Sequence, residues 1–146
     1  MEDLSEVKTR DGSFTLRSFK YRENFHSLSG AQTESQIKFI DPANLNEFAG
    51  KSLNVLDICF GLGYNTALLF KELFKQSTNL HWYGLEIDKR PLEYSLKKQS
   101  IRNLWDPKIT NIFEYLLCDN SFKDNLYDCH LLWGDARKKI CEVPHN

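Results

Sequence analysis

The sequence is poor in the features that announce a specialised class of protein. Its four cysteines, Cys59, Cys118, Cys129 and Cys141, are scattered, and no two have Cys-x-x-Cys spacing. That argues against a zinc site and against a disulfide scaffold, and points to reduced thiols in a cytoplasmic protein. An excess of charge of one sign is also lacking. With 19 Lys and Arg against 20 Asp and Glu, the formal net charge is -1, so the total carries no nucleic-acid footprint, although a local basic face is compatible with a neutral sum. No apolar run is long enough to span a membrane. The opening "MEDLSEVKTRDGSFTL" is charged and has no apolar core, so it reads as neither a secretory signal nor a membrane anchor. Repeats and low-complexity linkers are missing as well.

What is present fits a globular domain with a real core. The 146 residues are 41% hydrophobic, 27% charged and 13% aromatic, ordinary values for one soluble domain of this length. Asp11-Gly12 followed by alternating Phe14, Leu16 and Ser18 predicts a hairpin. Ser27 or Ser29 is placed to cap a helix through Ala31, Ile37 and Ile40 that ends at Asp41-Pro42, and "NLNEFAGKS" reads as a short helical turn closed by Gly50. "LNVLDICF" is a continuous apolar run, the pattern of a strand buried on both faces of a parallel sheet. Leu68, Leu69, Leu73 and Phe74 then fall at helical spacing. "LHWYGLEID" predicts a second strand and "KRPLEYSLKKQSIRNLW" a second helix with Pro91 in its first turn. "NIFEYLLCDN" predicts a short third helix, and "YDCHLLW" a further strand leading into a turn or helix. Strands alternating with helices imply an α/β domain with a mainly parallel sheet and helices on both faces, residues 51–146, preceded by a hairpin-and-helix leader, residues 1–50.

The chemistry concentrates at three strand ends. After the first strand, "DICFGLGYN" places Gly61 and Gly63 where the backbone must bend and approach a ligand closely. A dinucleotide fingerprint would need a third glycine, and Tyr64 and Asn65 stand there instead. Asp57 at the strand end would repel phosphate but attract a cationic amine. A ligand that joins adenosine to a cationic amino-acid tail is S-adenosylmethionine. Glu86 ends the second strand, where a carboxylate in a nucleotide-binding unit accepts from both ribose hydroxyls; Asp88 competes for that role. Asp135 in "WGDAR" follows the last strand, where it would accept from the adenine amine while the Ala136 amide donates to a ring nitrogen. Asp135 is equally a good helix N-cap, and the two roles are compatible. Such carboxylates gather at the carboxyl edge of a parallel sheet, where ligands bind. A short-chain dehydrogenase would need a third glycine and a Tyr-x-x-x-Lys pair, and neither occurs. His26 reads as a structural histidine or a base, and the Lys97-Lys98 and Lys138-Lys139 pairs as solvated faces or RNA contacts.

These motifs, together with Asp11-Gly12-Ser13, Thr15-Leu16, Phe25-His26-Ser27, Gly30-Ala31, Glu34, Leu80-His81 and Gly134, resemble the MnmC-like class of S-adenosylmethionine-dependent methyltransferases over nearly the whole chain. The resemblance implies a Rossmann-like half-sheet that binds S-adenosylmethionine through Asp57, Phe60, Gly61, Gly63, Asn65, Glu86, Asp135 and Ala136, with no metal. It implies Ser29, Gly30 and Glu34 lying against the donor, and N-methylation of the 5-aminomethyl group of wobble uridine in tRNA, in some cases beside a separate FAD-dependent oxidoreductase. Cys59 departs from it, standing where the family turn has its first glycine. An acceptor-side Asp-x-Phe-x-Pro loop and the strands that complete the sheet are expected beyond Asn146, so the chain reads as a truncated form with no assigned catalytic residue. The alternative is a half-domain that binds the donor or a partner without catalysis.

Overall fold

A computed structural model describes residues 3–144. The leader opens with an antiparallel sheet of β1 (Leu4–Lys8), β2 (Phe14–Ser18) and the short β3 (Glu23–Asn24), in the order β1-β2-β3. The Asp11-Gly12 turn joins β1 to β2 as its composition predicts, with Gly12 at φ 85°. β3 was not legible, because two residues carry no periodicity.

The Asp11 turn also caps the first helix, α1 (Ala31–Ser35). Neither Ser27 nor Ser29 is its cap. Gly30 occupies that position without a side-chain cap, and the helix amides are satisfied from the hairpin. The Ala31 amide donates to Ser13 Oγ at 3.0 Å and the Thr33 amide to Asp11 Oδ2 at 3.0 Å. A Cβ at Gly30 would lie 2.1 Å from Asp11 Oδ2, so only glycine lets the turn close on the helix. After α1 the chain widens into a π-helical stretch, Gln36–Ile40, and tightens through 3-10 turns at Asp41–Ala43 and Leu45–Phe48. Asp41-Pro42 therefore does not end the helical run. Proline sits in a first turn, where it lacks nothing the helix needs, and Asn44 at φ 48° breaks the run instead.

The second sheet holds β4 (Ser52–Ile58), β5 (Asn79–Glu86), β6 (Ser121–Lys123) and β7 (Tyr127–Trp133) in the order β4-β5-β7-β6. β4, β5 and β7 are parallel and β6 is antiparallel to β7. The fold is α/β, a mostly parallel Rossmann-like sheet flanked by helices. α2 (Tyr64–Leu73) follows β4, and α3 (Arg90–Lys97), α4 (Gln99–Arg102) and α5 (Pro107–Asp119) follow β5. The expected single helix from Lys89 to Trp105 is broken at Lys98, whose backbone is extended. α5 is longer than its apolar pattern suggests. Asp106 caps it by accepting the Lys108 amide at 2.7 Å, with Pro107 at the first position. α6 (Ala136–Lys139) follows β7.

One core joins leader and sheet. Leu16, Ala31 and Ile40 belong to the same buried cluster as Phe60, Trp82, Phe113 and Leu131. Within it Phe70 stacks on Tyr127 with ring centres 5.9 Å apart, and aromatic pairs of this kind add about 0.5–1.5 kcal/mol beyond area burial. β4 is not buried on both faces as its apolar run suggests. It lies at the sheet edge, and Leu56 and Ile58 are 42% and 53% exposed.

Candidate functional site

The turn after β4 is built from left-handed residues. Cys59, Gly61 and Gly63 have φ of 65°, 59° and 87°. The Cys59 amide donates to the Leu85 carbonyl at 2.9 Å, which pins the turn to the end of β5. A Cβ at Gly63 would come within 2.8 Å of the Phe113 ring, so glycine there serves close packing. At Gly61 a Cβ would have ordinary clearance from Phe25, so glycine there serves backbone conformation. Phe60 turns its ring inward, edge-on to Trp82 and Phe113 at 5.5 and 5.3 Å, and is a core side chain.

Glu86 is buried and organises this edge. Its Oε2 accepts the Gly61 amide at 2.7 Å, and its Oε1 accepts the Ile87 and Asp88 amides at 2.7 and 3.0 Å. An ionised carboxylate offers about four acceptor positions. Three amides leave room for one further donor, where the sequence suggested both ribose hydroxyls. Asp88 is occupied by Arg90, which also grips Asp3 from the leader. The surrounding cavity has a volume of about 540 Å3, and Gly61, Cys59, Glu86 and Asp88 line it. The rest of its wall comes from the leader: Asp3, Leu4, Ser18, Lys20, Tyr21 and Phe25, with Ile87 and Arg90. Lys20 and Tyr21 belong to none of the strand-end motifs, and their place in this wall is not evident from them. The signal for that place was the alternation of aromatic and cation in "SFKYR".

Asp57 faces a different, neighbouring cavity of about 400 Å3, with Asn65, Thr66 and Leu69. Its Oδ2 accepts Thr66 Oγ1 at 2.6 Å, and Thr66 Oγ1 in turn accepts Trp82 Nε1 at 3.1 Å. Burial pushes the Asp57 carboxyl up to about 6; the negative charge of Glu86 adds to this and the Thr66 hydrogen bond opposes it. A carboxylate held this way is stabilised by an incoming cation. Beside it, the buried Asn65 Oδ1 has no hydrogen-bond partner among the described residues, an acceptor open to a ligand donor. Burial, Glu86 and Asp57 together push the Cys59 thiol up, which keeps it protonated.

Asp135 caps α6, accepting the Arg137 amide at 3.0 Å, and its carboxylate is paired with the Arg137 guanidinium. Neither Asp135 nor Ala136 lines the 540 Å3 cavity, but the Gly134 amide donates to the Glu86 carbonyl at 2.8 Å and holds that loop at the same sheet edge. Of the leader residues expected against the donor, Ser29, Gly30 and Glu34 do not line this cavity either. Glu34 accepts the Ser27 amide at 2.6 Å and pairs with Lys38. His26 bonds Thr15 Oγ1 through Nδ1 at 3.2 Å and packs edge-on to Tyr64; burial pulls it down to about 4, so it is neutral near pH 7.

Among the described residues, no helix is long and apolar enough to cross a membrane, and no cluster of His, Cys, Asp and Glu is arranged to hold a metal. No family model matches the sequence. The chain is 31% identical over 141 residues to the uncharacterized protein MJ0670 of Methanocaldococcus jannaschii, covering 92% of this chain and 36% of that protein. Its fold is similar to the crystal structure of MnmC2 from Aquifex aeolicus, with a TM-score of 0.75 and 32% identity over 96% of this chain and 45% of the other. The chain thus spans less than half the length of either relative. The similarity supports an MnmC-like relationship for this fold.

Proposed function

We propose that this chain is the donor-binding part of an S-adenosylmethionine-dependent methyltransferase, with residues 1–50 as a leader that walls the site and residues 51–146 as the sheet that carries it. The observation that supports this most directly is Glu86, a strand-end carboxylate that holds the glycine turn through the Gly61 amide and keeps one acceptor position at a 540 Å3 cavity. The fit to the donor is chemical. Glu86 would accept one ribose hydroxyl. Asp57, with its raised affinity for a positive charge, would face the ammonium of the methionine tail, and Asn65 Oδ1 would accept from the same group. Asp135 and Ala136 would stand at the adenine end. The donor supplies an electrophilic methyl group on a sulfonium; this chain's residues would hold and orient it against a neutral amine, since positioning is most of what such a transfer needs. The acceptor proposed from the resemblance is the 5-aminomethyl group of wobble uridine in tRNA, with a separate FAD-dependent oxidoreductase as the expected companion activity.

A second reading is a donor- or partner-binding half without catalysis. The open edge of β4, with Leu56 and Ile58 exposed, favours it as a surface for another chain. Calorimetry with S-adenosylmethionine on the parent, Asp57→Ala and Glu86→Ala tests the site, and unchanged binding in both variants would sink it. Incubation with labelled donor and unmodified tRNA separates the two readings. Label in tRNA supports the enzyme; donor binding without transfer supports the binding half.

A further inference from the structure

The turn between β2 and β3, Phe19-Lys20-Tyr21-Arg22, contributes little to the core. Phe19 is 56% and Tyr21 67% exposed, two large rings left in water one residue apart in the chain. Cations alternate with the rings. Lys20 lies over the Tyr21 ring at 4.9 Å, and Arg17 at the end of β2 donates to the Arg22 carbonyl at 3.1 Å. Among the described residues, none of Arg17, Lys20 and Arg22 has a carboxylate within ion-pair distance; Glu23 is the neighbouring exposed acid. The turn is held in shape. The Phe19 amide donates to the Asp3 carbonyl at 2.9 Å, the Tyr21 amide to Ser18 Oγ at 3.3 Å, and Arg22 is left-handed at φ 57°. Lys20 and Tyr21 line the same cavity as Gly61 and Glu86.

We propose that this turn is a stacking platform for an unpaired base of single-stranded RNA, holding the acceptor nucleotide at the mouth of the cavity beside Glu86. The chemistry is that of sequence-tolerant single-strand binding. Every base has a π face to lay on an exposed ring, and the phosphates on either side meet unpaired cations. A flipped or unpaired nucleotide must lose its stacking neighbours to reach a methyl group in a cavity, and an aromatic at the rim replaces them. The proposal rests on the donor-site reading for its position, and on the turn's own residues for its ligand.

The test is fluorescence anisotropy with a labelled single-stranded oligoribonucleotide, run beside donor calorimetry. Tyr21→Ala is expected to weaken RNA binding about tenfold, and Tyr21→Phe to restore it to within about twofold, because the ring and not the hydroxyl makes the stack. The double change Lys20→Gln and Arg22→Gln should flatten the slope of log affinity against log salt by about 1.4, roughly 0.7 for each phosphate that is no longer neutralised. Phe19→Ala and Arg22→Gln, which lie outside the cavity lining, should weaken RNA binding and leave donor affinity unchanged. RNA affinity unmoved by Tyr21→Ala, or a parent chain that binds no RNA, overturns the platform while a normal donor isotherm keeps the donor site. Equal loss of donor and RNA affinity in Tyr21→Ala also overturns it, since the ring would then belong to the donor. RNA binding that depends on the turn in a chain that ignores the donor supports the platform and overturns the donor-site reading alone.

Discussion

The Glu86 carboxylate accepts the Gly61 amide at 2.7 Å across the gap between β5 and the turn after β4. One side chain thus fixes the position of the glycine turn and faces the cavity that the turn helps to form. The binding role proposed for it falls on the same side chain as this structural one. Removing it leaves three amides without their acceptor, and although water can enter from the cavity, each unmet buried donor is expensive. Glu86→Ala is therefore expected to cost about 2–4 kcal/mol of stability, read by urea unfolding. Glu86→Gln keeps one carbonyl oxygen and should cost less, while still weakening S-adenosylmethionine binding at least about tenfold by calorimetry.

Asp57 gives a prediction with a definite sign. Its carboxyl is pushed up to about 6 from an ordinary 3.8. The folded chain therefore holds this proton more tightly than the unfolded chain does. The stabilisation is fully present below pH 3.8 and is lost as pH rises through about 6. Asp57→Asn should raise the stability of the ligand-free chain at pH 7 by on the order of 2 kcal/mol, once partial exposure is allowed for. Donor binding should respond in the opposite sense. An ammonium needs the ionised carboxylate, so parent affinity is expected to climb between pH 5 and 7 and the Asn variant to be weaker and flat. A stability gain without any loss of pH-dependent binding would separate Asp57 from the donor.

His26 acts in the other direction. Burial lowers it from 6.5 to about 4, so the unfolded chain binds its proton first. Its stabilising effect is complete above pH 6.5 and is lost as pH falls toward 4. Replacing it with Phe, which keeps the edge-on packing against Tyr64, should flatten the acid side of a melting-temperature profile between those values. A methyl-transfer rate that survives His26→Phe would make the histidine structural, and a lost rate in a folded variant would make it a base.

Much of this was legible in the sequence because it depends on local pattern. Alternation located β2, helical spacing located α2, and the paired glycines located a turn that had to be left-handed. Asp57 and Glu86 were legible as strand-end acids. Their division between two cavities was not, because it depends on which way each strand end turns in three dimensions. The hydrogen bonds from amides to Glu86 were hidden for a similar reason. Gly61 is distant in sequence, and nothing in either segment reports their meeting. The leader helix misled in detail, since serines close to it looked like caps while its amides reach back to Asp11 and Ser13 across the hairpin. Burial of β4 was overestimated because an apolar run specifies a strand without saying whether a neighbour covers it.

Cys59 stands in the left-handed region at φ 65°, where a Cβ costs roughly 1 kcal/mol or more. Its backbone amide bond to Leu85 does not use the side chain. Cys59→Gly should therefore raise stability by up to about 1 kcal/mol after the greater chain entropy of glycine is subtracted, a shift of roughly 2–4 °C in Tm. The same change opens the cavity wall, so donor affinity is expected to hold or improve in parallel calorimetry. A fall in both would mean that the thiol fills space that the turn needs.

The free side of β4 makes the last prediction. Among the described residues only β5 pairs with β4, which leaves one row of its amides and carbonyls without a neighbouring strand there, and Leu56 and Ile58 stand 42% and 53% exposed beside it. Cavities of about 400 Å3 flank this edge on both sheet faces, one with Asn54, His81 and Tyr83 and the other with Phe39, Leu53 and Leu69. A flat apolar edge with unpaired backbone groups is a template for another strand. The isolated chain is therefore expected to self-associate as concentration rises, which sedimentation velocity would reveal as a shift to larger species. Placing lysine at both Leu56 and Ile58 puts charge on the edge and makes pairing costly. Because both side chains already face solvent, the variant should keep its melting temperature within a few degrees while sedimenting as a monomer. If parent and variant sediment alike as monomers at high concentration, the edge is blunted by its own twist and side chains, and the second reading of the chain as a partner-binding half loses its support.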